Sequence, residues 1–199
     1  MKAIRTVLAA IRRADEQFNL IDKGDRIVIG VSGGKDSLVL TYALSLYAKF
    51  AQKEFTLQPV ILDLGFPGFD ATELKAYIES LGLTLMVHDS KMVYPILKAN
   101  QGEADHLPCS ICSRMKKAAI NKVANKMGFN KVAFAHHADD AIETLFMNEI
   151  YGGRMATFAP KMTLERAHIV FIRPLVMLRE SDIIACAKEL KLPVKPSAC

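Results

Sequence analysis

At 199 residues, 51% hydrophobic and 24% charged, the chain suits one soluble globular domain with a real core; it shows no low-complexity tract or internal repeat. No stretch reaches the roughly 20 uninterrupted apolar residues of a membrane span, and Arg5, Arg12 and Arg13 interrupt the opening "MKAIRTVLAAIRRADEQ" where a signal peptide would be apolar, so a cytoplasmic protein with no membrane partner is expected. The formal charge of +5 and pI near 9.0 allow a polyanionic partner such as RNA without requiring one.

Residues 2–19 carry Ile4, Val7, Leu8 and Ile11 at helical spacing among charged residues, which predicts an amphipathic helix. "RIVIGV" (26–31) reads as a buried strand, and Asp36 to Phe50 as a helix. "FTLQPVILDL" (55–64) is a second strand, followed by the turn residues "GFPGF". A helix over "ATELKAYIESLG" stops at Gly82, and "LTLMVH" (83–88) is a third strand. Residues 98–108 read as a polar loop and 109–127 as a helix. "KVAFAH" (131–136) is a strand and 139–150 a helix. "YGGRMATFAPKM" reads as irregular, "HIVFIRPL" as a strand with its exit, and 179–190 as the last helix. This alternation predicts an α/β fold, a single domain with a parallel sheet flanked by helices on both faces. Ligands then bind beyond the carboxyl ends of the strands, at a switch point.

"SGGKDS" (32–37) lies between the first strand and its helix. Backbone N–H groups and the helix dipole make such a turn an anion site, to which Ser32 and Ser37 add hydroxyls and Lys35 a charge. Asp36 is repelled by phosphate unless it caps the helix or holds Mg²⁺. Asp36 also stands where the Walker form needs Ser or Thr, and the spaced glycines of a dinucleotide site are missing.

"PCSICSRMKK" (108–117) sets Cys109 and Cys112 one helical turn apart, with Pro108 suited to a helix start. With no export signal, four cysteines argue against a disulfide framework. Cys186 shares a face with Ile183, Ala187 and Leu190 and reads as core, whereas Cys199 lies on an irregular tail. Cys109, Cys112 and Cys199 suit an iron–sulfur cluster with one iron left open; zinc needs a fourth ligand such as His106.

"HHADDAIET" opens a helix. Asp139 suits an N-cap, His137 a structural role, and His136 with Asp140 a Mg²⁺–ATP site at the end of a strand. Lys116, Lys117, Lys122 and Lys126 stud one helix, with Arg154, Lys161 and Arg173 further on; these are either a solvated face or phosphate contacts for RNA.

"SGGKDS" resembles the PP-loop of the ATP pyrophosphatases, which cleave ATP between its α- and β-phosphates and adenylate a carbonyl oxygen. "CSICSR" with a downstream cysteine resembles the tRNA 2-thiocytidine synthetase branch of that family. In that branch two such cysteines and a later third bind a [4Fe-4S] cluster. "PGF" (67–69), "HHADDAIETLF" (136–146), "YGGRM" (151–155), "PKM" (160–162) and "IRPL" (172–175) follow in the family's order. Two features depart from it: Ala135 stands where the family usually has glycine, and family members usually continue beyond the position of Cys199.

The resemblance implies an adenine nucleotide α-hydrolase-like, Rossmann-like domain over 26–199 behind an N-terminal helix in 1–25. It implies ATP held by Val31, Ser32, Gly33, Gly34, Lys35, Asp36, Ser37, Asp63, His136 and Asp140, with Mg²⁺ on Asp36 and Asp140. Lys35, Asp36, Cys109 and Cys199 carry the chemistry, the cluster sits on Cys109, Cys112 and Cys199, and Lys116, Lys117, Arg154, Lys161 and Arg173 meet tRNA. The implied reaction is adenylation of an anticodon-loop cytidine and replacement of its oxygen by sulfur, the sulfur coming from a cysteine desulfurase or sulfide; a homodimer is compatible with it. The lysidine synthetase branch, whose "HHADD" is also similar, and a nucleotide- or metal-binding sensor without turnover are the alternatives. Dispensable cysteines mark the first, and ATP binding without pyrophosphate release the second.

Overall fold

The structure is a computed structural model that describes residues 2–102 and 106–195. Six strands form one sheet: β1 (Arg26–Val31), β2 (Thr56–Asp63), β3 (Met86–Asp89), β4 (Lys131–Ala133), β5 (Lys161–Leu164) and β6 (Ile169–Ile172). Their spatial order is β3-β2-β1-β4-β6-β5. The helices are α1 (Ala3–Phe18), α2 (Lys35–Phe50), α3 (Thr72–Ser80), α4 (Val93–Ala99), α5 (Cys109–Lys126), α6 (Ala138–Gly152) and α7 (Glu180–Glu189). The chain builds outward from β1 through β2 to β3, then crosses back to place β4 on the other side of β1. Both pairings of β1 are parallel, so the direction of winding reverses between β1 and β4, and a crevice opens there.

The period-2 alternation of β1 divides the core. Ile27, Ile29 and Val31 join the cluster under α1, α2, α3 and α7, while Val28 joins the one under α5 with Val123, Val132 and Phe171. α1 buries Ile4, Val7, Ala10, Ile11 and Ala14, a single helical stripe. Leu38, Leu40 and Leu44 of α2 are fully buried, each contributing about 1.5–3 kcal/mol.

Two elements depart from the expected pattern. β5, which starts inside the stretch read as irregular, pairs antiparallel with β6, Lys161 facing Ile172, so the sheet is parallel except at this edge. With Met162 and Thr163 exposed, its four residues show none of the apolar run of an interior strand. α4 occupies a stretch read as no element. Pro95 is its third residue, where a missing N–H costs nothing because first-turn donors have no partner in the helix. Val93 and Leu97 fix it to the core.

Buried charges tie the amino end of the sheet. Lys131 Nζ reaches Asp25 at 2.6 Å, Asp22 at 2.7 Å and the Leu20 carbonyl at 2.9 Å. Asp15 accepts from Tyr47 Oη at 2.8 Å, Lys53 Nζ at 2.9 Å and the Ile21 N–H at 2.9 Å; burial and this carboxylate raise the Tyr47 pKa. Both sets are fully partnered, as buried charges must be.

Candidate active site

The carboxyl end of β1 passes through Ser32 and Gly33 into α2. Gly33 has φ +84°, and a Cβ there would stand 3.3 Å from Leu74 Cδ1, so glycine is needed for both conformation and room. The turn closes on itself: the Ser32 N–H and hydroxyl donate to Ser37 Oγ, both at 3.1 Å, and that hydroxyl donates to the Gly34 carbonyl at 2.9 Å. The two serines thus brace the loop. The Lys195 N–H donates to the Gly33 carbonyl at 3.0 Å, strapping the loop from the far end of the chain.

Lys35 points to the corner where α6 and α7 begin. Its Nζ lies 2.8 Å from Glu180 Oε1 and 3.2 Å from Asp36 Oδ1. Burial alone would lower its pKa, but the bonds to Glu180 and Asp36 outweigh this and hold it above the ordinary lysine value. Asp36 Oδ1 is buried and accepts no hydrogen bond among the described residues. A carboxylate oxygen at a phosphate-type loop that accepts no such bond and has the Lys35 ammonium beside it fits a hard cation such as Mg²⁺.

His137 is the N-cap of α6 in a capping box, its ring accepting from the Asp140 N–H at 3.4 Å while Asp140 Oδ2 accepts from the His137 N–H at 2.8 Å. One Asp140 oxygen is therefore committed to the helix start. Asp139, which reads as the α6 cap in the sequence, instead accepts from the Glu180 N–H at 2.6 Å and Arg179 Nε at 3.0 Å, and these bonds hold its carboxyl below the usual range. Asp63, at the end of β2, accepts the Gly65 N–H at 3.0 Å and so shapes the connection carrying "PGF".

Two cavities meet at this rim. One, of about 420 Å³, is bounded by Val31, Ser32 and Gly34 of the loop. The other, of about 780 Å³, is bounded by Cys109, Cys112, His106 and His136. They share Phe66, Pro67, Lys116, Ile120 and Phe134 as a common wall. The glycine loop and the paired thiols are therefore on the same end of the sheet, with Lys116 between them. Cys109, exposed in the first turn of α5, and Cys112, buried, face one cavity; two thiols presented together suit a soft metal centre. Among the described residues no three metal-ligating side chains stand together, and Cys199 lies outside the described residues. Cys186 is buried in the core, and burial pushes its thiol up to about 11. His136 packs between Phe134 and Phe158, its Nδ1 buried without a hydrogen-bond partner among the described residues. Burial, with help from Arg173, lowers its pKa to about 4, Asp140 opposing, so the ring is neutral near pH 7.

The basic residues divide. Lys116, Lys117 and Arg154 are exposed, Lys116 and Lys117 at the cysteine cavity. Two expectations need correction. Arg173 is buried, donates to the Ala159 carbonyl at 2.5 Å and lies 4.7 Å over the Phe158 ring, so it braces the connection before β5 rather than an RNA-facing surface. Lys161 donates to the Asn19 carbonyl and lies 3.8 Å from Asp22, turned to the connection that precedes β1. Glu180 and Lys195 go unnoticed in the sequence. Their partners are distant in the chain, and no local pattern marks either.

A PP-loop domain matches residues 7–194, which defines the class as that of the PP-loop proteins. The chain is 35% identical to a tRNA-cytidine(32) 2-sulfurtransferase of Geobacter metallireducens over all of its own length and 76% of that protein. It is 39% identical to one of Vibrio vulnificus over 92% of its length and 59% of the relative's. By these likenesses the chain belongs to the PP-loop tRNA thiolation branch, the family of the tRNA-cytidine(32) 2-sulfurtransferases. The U34-tRNA thiolase NcsA from Methanococcus maripaludis, solved with its [4Fe-4S] cluster, has the same fold: TM-score 0.75 and 24% identity, with 99% of this chain and 66% of that one aligned. An NH3-dependent NAD synthetase from Campylobacter jejuni aligns with 96% of this chain and 75% of its own at TM-score 0.55 and 16% identity. No helix among the described residues is long and apolar enough to cross a membrane.

Proposed function

We propose that this chain is an ATP-dependent tRNA sulfurtransferase that adenylates a cytidine O2 and replaces that oxygen with sulfur. The observation that carries this reading is the wall shared by the glycine-loop cavity and the cysteine cavity. A carbonyl oxygen leaves poorly until it carries AMP, so the adenylating and sulfur-delivering sites must reach one base atom. Cavities that share Lys116 and Phe134 meet that need.

The chain's own residues divide the work. The brace of Ser32 and Ser37 keeps the loop shaped for a diphosphate, and the N-terminus of α2 attracts its charge. Lys35 supplies a cation where negative charge grows as pyrophosphate departs. Asp36, with Asp140 at the start of α6, would hold Mg²⁺, which supplies charge neutralisation on ATP. Cys109 and Cys112 would hold a [4Fe-4S] cluster together with Cys199; with one iron left open, such a cluster would carry the donor's sulfide to the activated base. Lys116, Lys117 and Arg154 meet tRNA phosphates, and the target base must be unstacked to enter. We read the partners as tRNA, a cysteine desulfurase or sulfide as sulfur donor, and a second copy of the chain, in the cytoplasm.

The test is an anaerobic reaction of the whole chain with tRNA, ATP and sulfide, reading pyrophosphate and 2-thiocytidine together. The wild type is expected to yield both, and Cys109→Ala pyrophosphate alone. Undiminished 2-thiocytidine from Cys109→Ala would refute the reading.

A further inference from the structure

We propose that Glu180 is a positioning residue for Lys35, holding its ammonium at the junction of α2, α6 and α7 so that one N–H remains for the departing diphosphate. The inference rests on the reading of residues 32–37 as an ATP site and adds a residue that the glycine-loop pattern does not contain. A lysine ammonium has three donors on a flexible four-carbon stem. Here two of the three face carboxylates, Glu180 Oε1 at 2.8 Å and Asp36 Oδ2 at 3.4 Å. What remains is a direction rather than a mobile charge.

Glu180 is itself anchored. Asp139 Oδ2 accepts its main-chain N–H at 2.6 Å, and Asp139 Oδ1 accepts Arg179 Nε at 3.0 Å. One step back, the Ala138 N–H donates to the Leu178 carbonyl at 2.8 Å. Three hydrogen bonds thus join the start of α7 to the start of α6 before Glu180 reaches across to α2. The Lys35 and Glu180 side chains are 30% and 47% exposed, and ion pairs this open contribute little to folding stability. Nor does Glu180 favour ground-state binding, because it adds a negative charge beside a site for a polyanion. Its benefit is therefore orientation of the cation at the moment of bond cleavage. That separates two quantities: losing Glu180 should slow pyrophosphate release without weakening ATP.

The experiment measures tRNA-dependent pyrophosphate release, ATP affinity by calorimetry and Tm on the full chain. The variants are Glu180→Ala, Glu180→Gln, Lys35→Ala and the Lys35→Ala/Glu180→Ala double. Glu180→Ala is expected to slow release roughly tenfold or more with ATP affinity unchanged or tighter. Glu180→Gln, which keeps an acceptor of the same size without the charge, should fall between. The double variant should be no slower than Lys35→Ala alone, since Glu180 acts through that lysine. Unchanged release in Glu180→Ala overturns the proposal. So does a loss of ATP affinity that tracks a lowered Tm, the pattern of a carboxylate that merely steadies the start of α7. A wild type that binds no ATP refutes the glycine-loop reading itself and this inference with it.

Discussion

The carboxylate of Asp139, in the first turn of α6, accepts the main-chain N–H of Glu180, the first residue of α7, at 2.6 Å. One helix start therefore caps another across 41 residues of chain, and the side chain of the capped residue pairs with the lysine of the glycine loop. Replacing Asp139 with Ala removes an acceptor from an N-terminal donor. Tm is expected to fall by about 2–4 °C, the shift of a single lost cap in a chain of this size. Asp139→Asn, which still accepts, should recover most of it. Scanning calorimetry of the two variants against wild type checks this; equal losses would mean that the charge, not the hydrogen bond, does the work.

Cys186 and Cys109 should answer differently to substitution. Cys186 has no exposed surface, and serine there would bury a polar hydroxyl in an apolar surround, costing about 1–3 kcal/mol. Urea unfolding of Cys186→Ser should show that loss while the anaerobically loaded iron and sulfide content stays at the wild-type level. Cys109→Ser, in an exposed first turn, should show the reverse: near-native stability and a reduced iron content. Iron loss from Cys186→Ser at native stability would remove the separation of core and metal thiols.

Much of the fold is legible in the sequence. β-Branched runs marked β1, β2 and β6, and the apolar face around Cys186 marked it as core. The glycine loop, the paired cysteines and the His-His-Ala-Asp-Asp turn fell on one rim because alternating strands and helices leave their loops at that end. What stayed hidden was side-chain direction and long-range pairing. Arg173 and Lys161 look like any surface cations in the sequence, yet one is drawn over Phe158 and the other to the Asn19 carbonyl. α4 was hidden by Pro95, and β5 by the polar residues an edge strand tolerates. Asp139 had the residue type of a cap and proved to be one, for a different helix.

Lys131 is 3% exposed, and its ammonium serves Asp25, Asp22 and the Leu20 carbonyl. Lys131→Met keeps the aliphatic length and strands the Asp25 carboxylate, which is 4% exposed, with the Asn130 amide and the Asp22 N–H as its remaining donors among the described residues. A loss of about 3 kcal/mol follows, near the lower end for breaking a buried pair because these donors remain. Adding Asp25→Asn should return part of it. Denaturant midpoints of the single and double variants measure the coupling; additive losses would show that the two residues act independently.

His136 gives the site a pH signature. Its unfolded-state pKa is about 6.5, and burial in the folded chain depresses it to about 4. As pH falls through 6.5 the unfolded state takes up the proton first, so folding free energy declines from there and levels near pH 4, where the folded state also protonates. Above about pH 7 neither form is charged, and the residue contributes no slope. His136→Phe, an apolar ring of similar outline between Phe134 and Phe158, should therefore lose less stability than wild type on going from pH 6.5 to 4.5. Urea midpoints at those two pH values and at pH 7.5 decide it. Parallel declines in both proteins would mean that other groups carry the acid sensitivity and that His136 reaches water. A flattened profile would show that the imidazole stays neutral in the wall of the cysteine cavity, where it adds no positive charge beside the thiols.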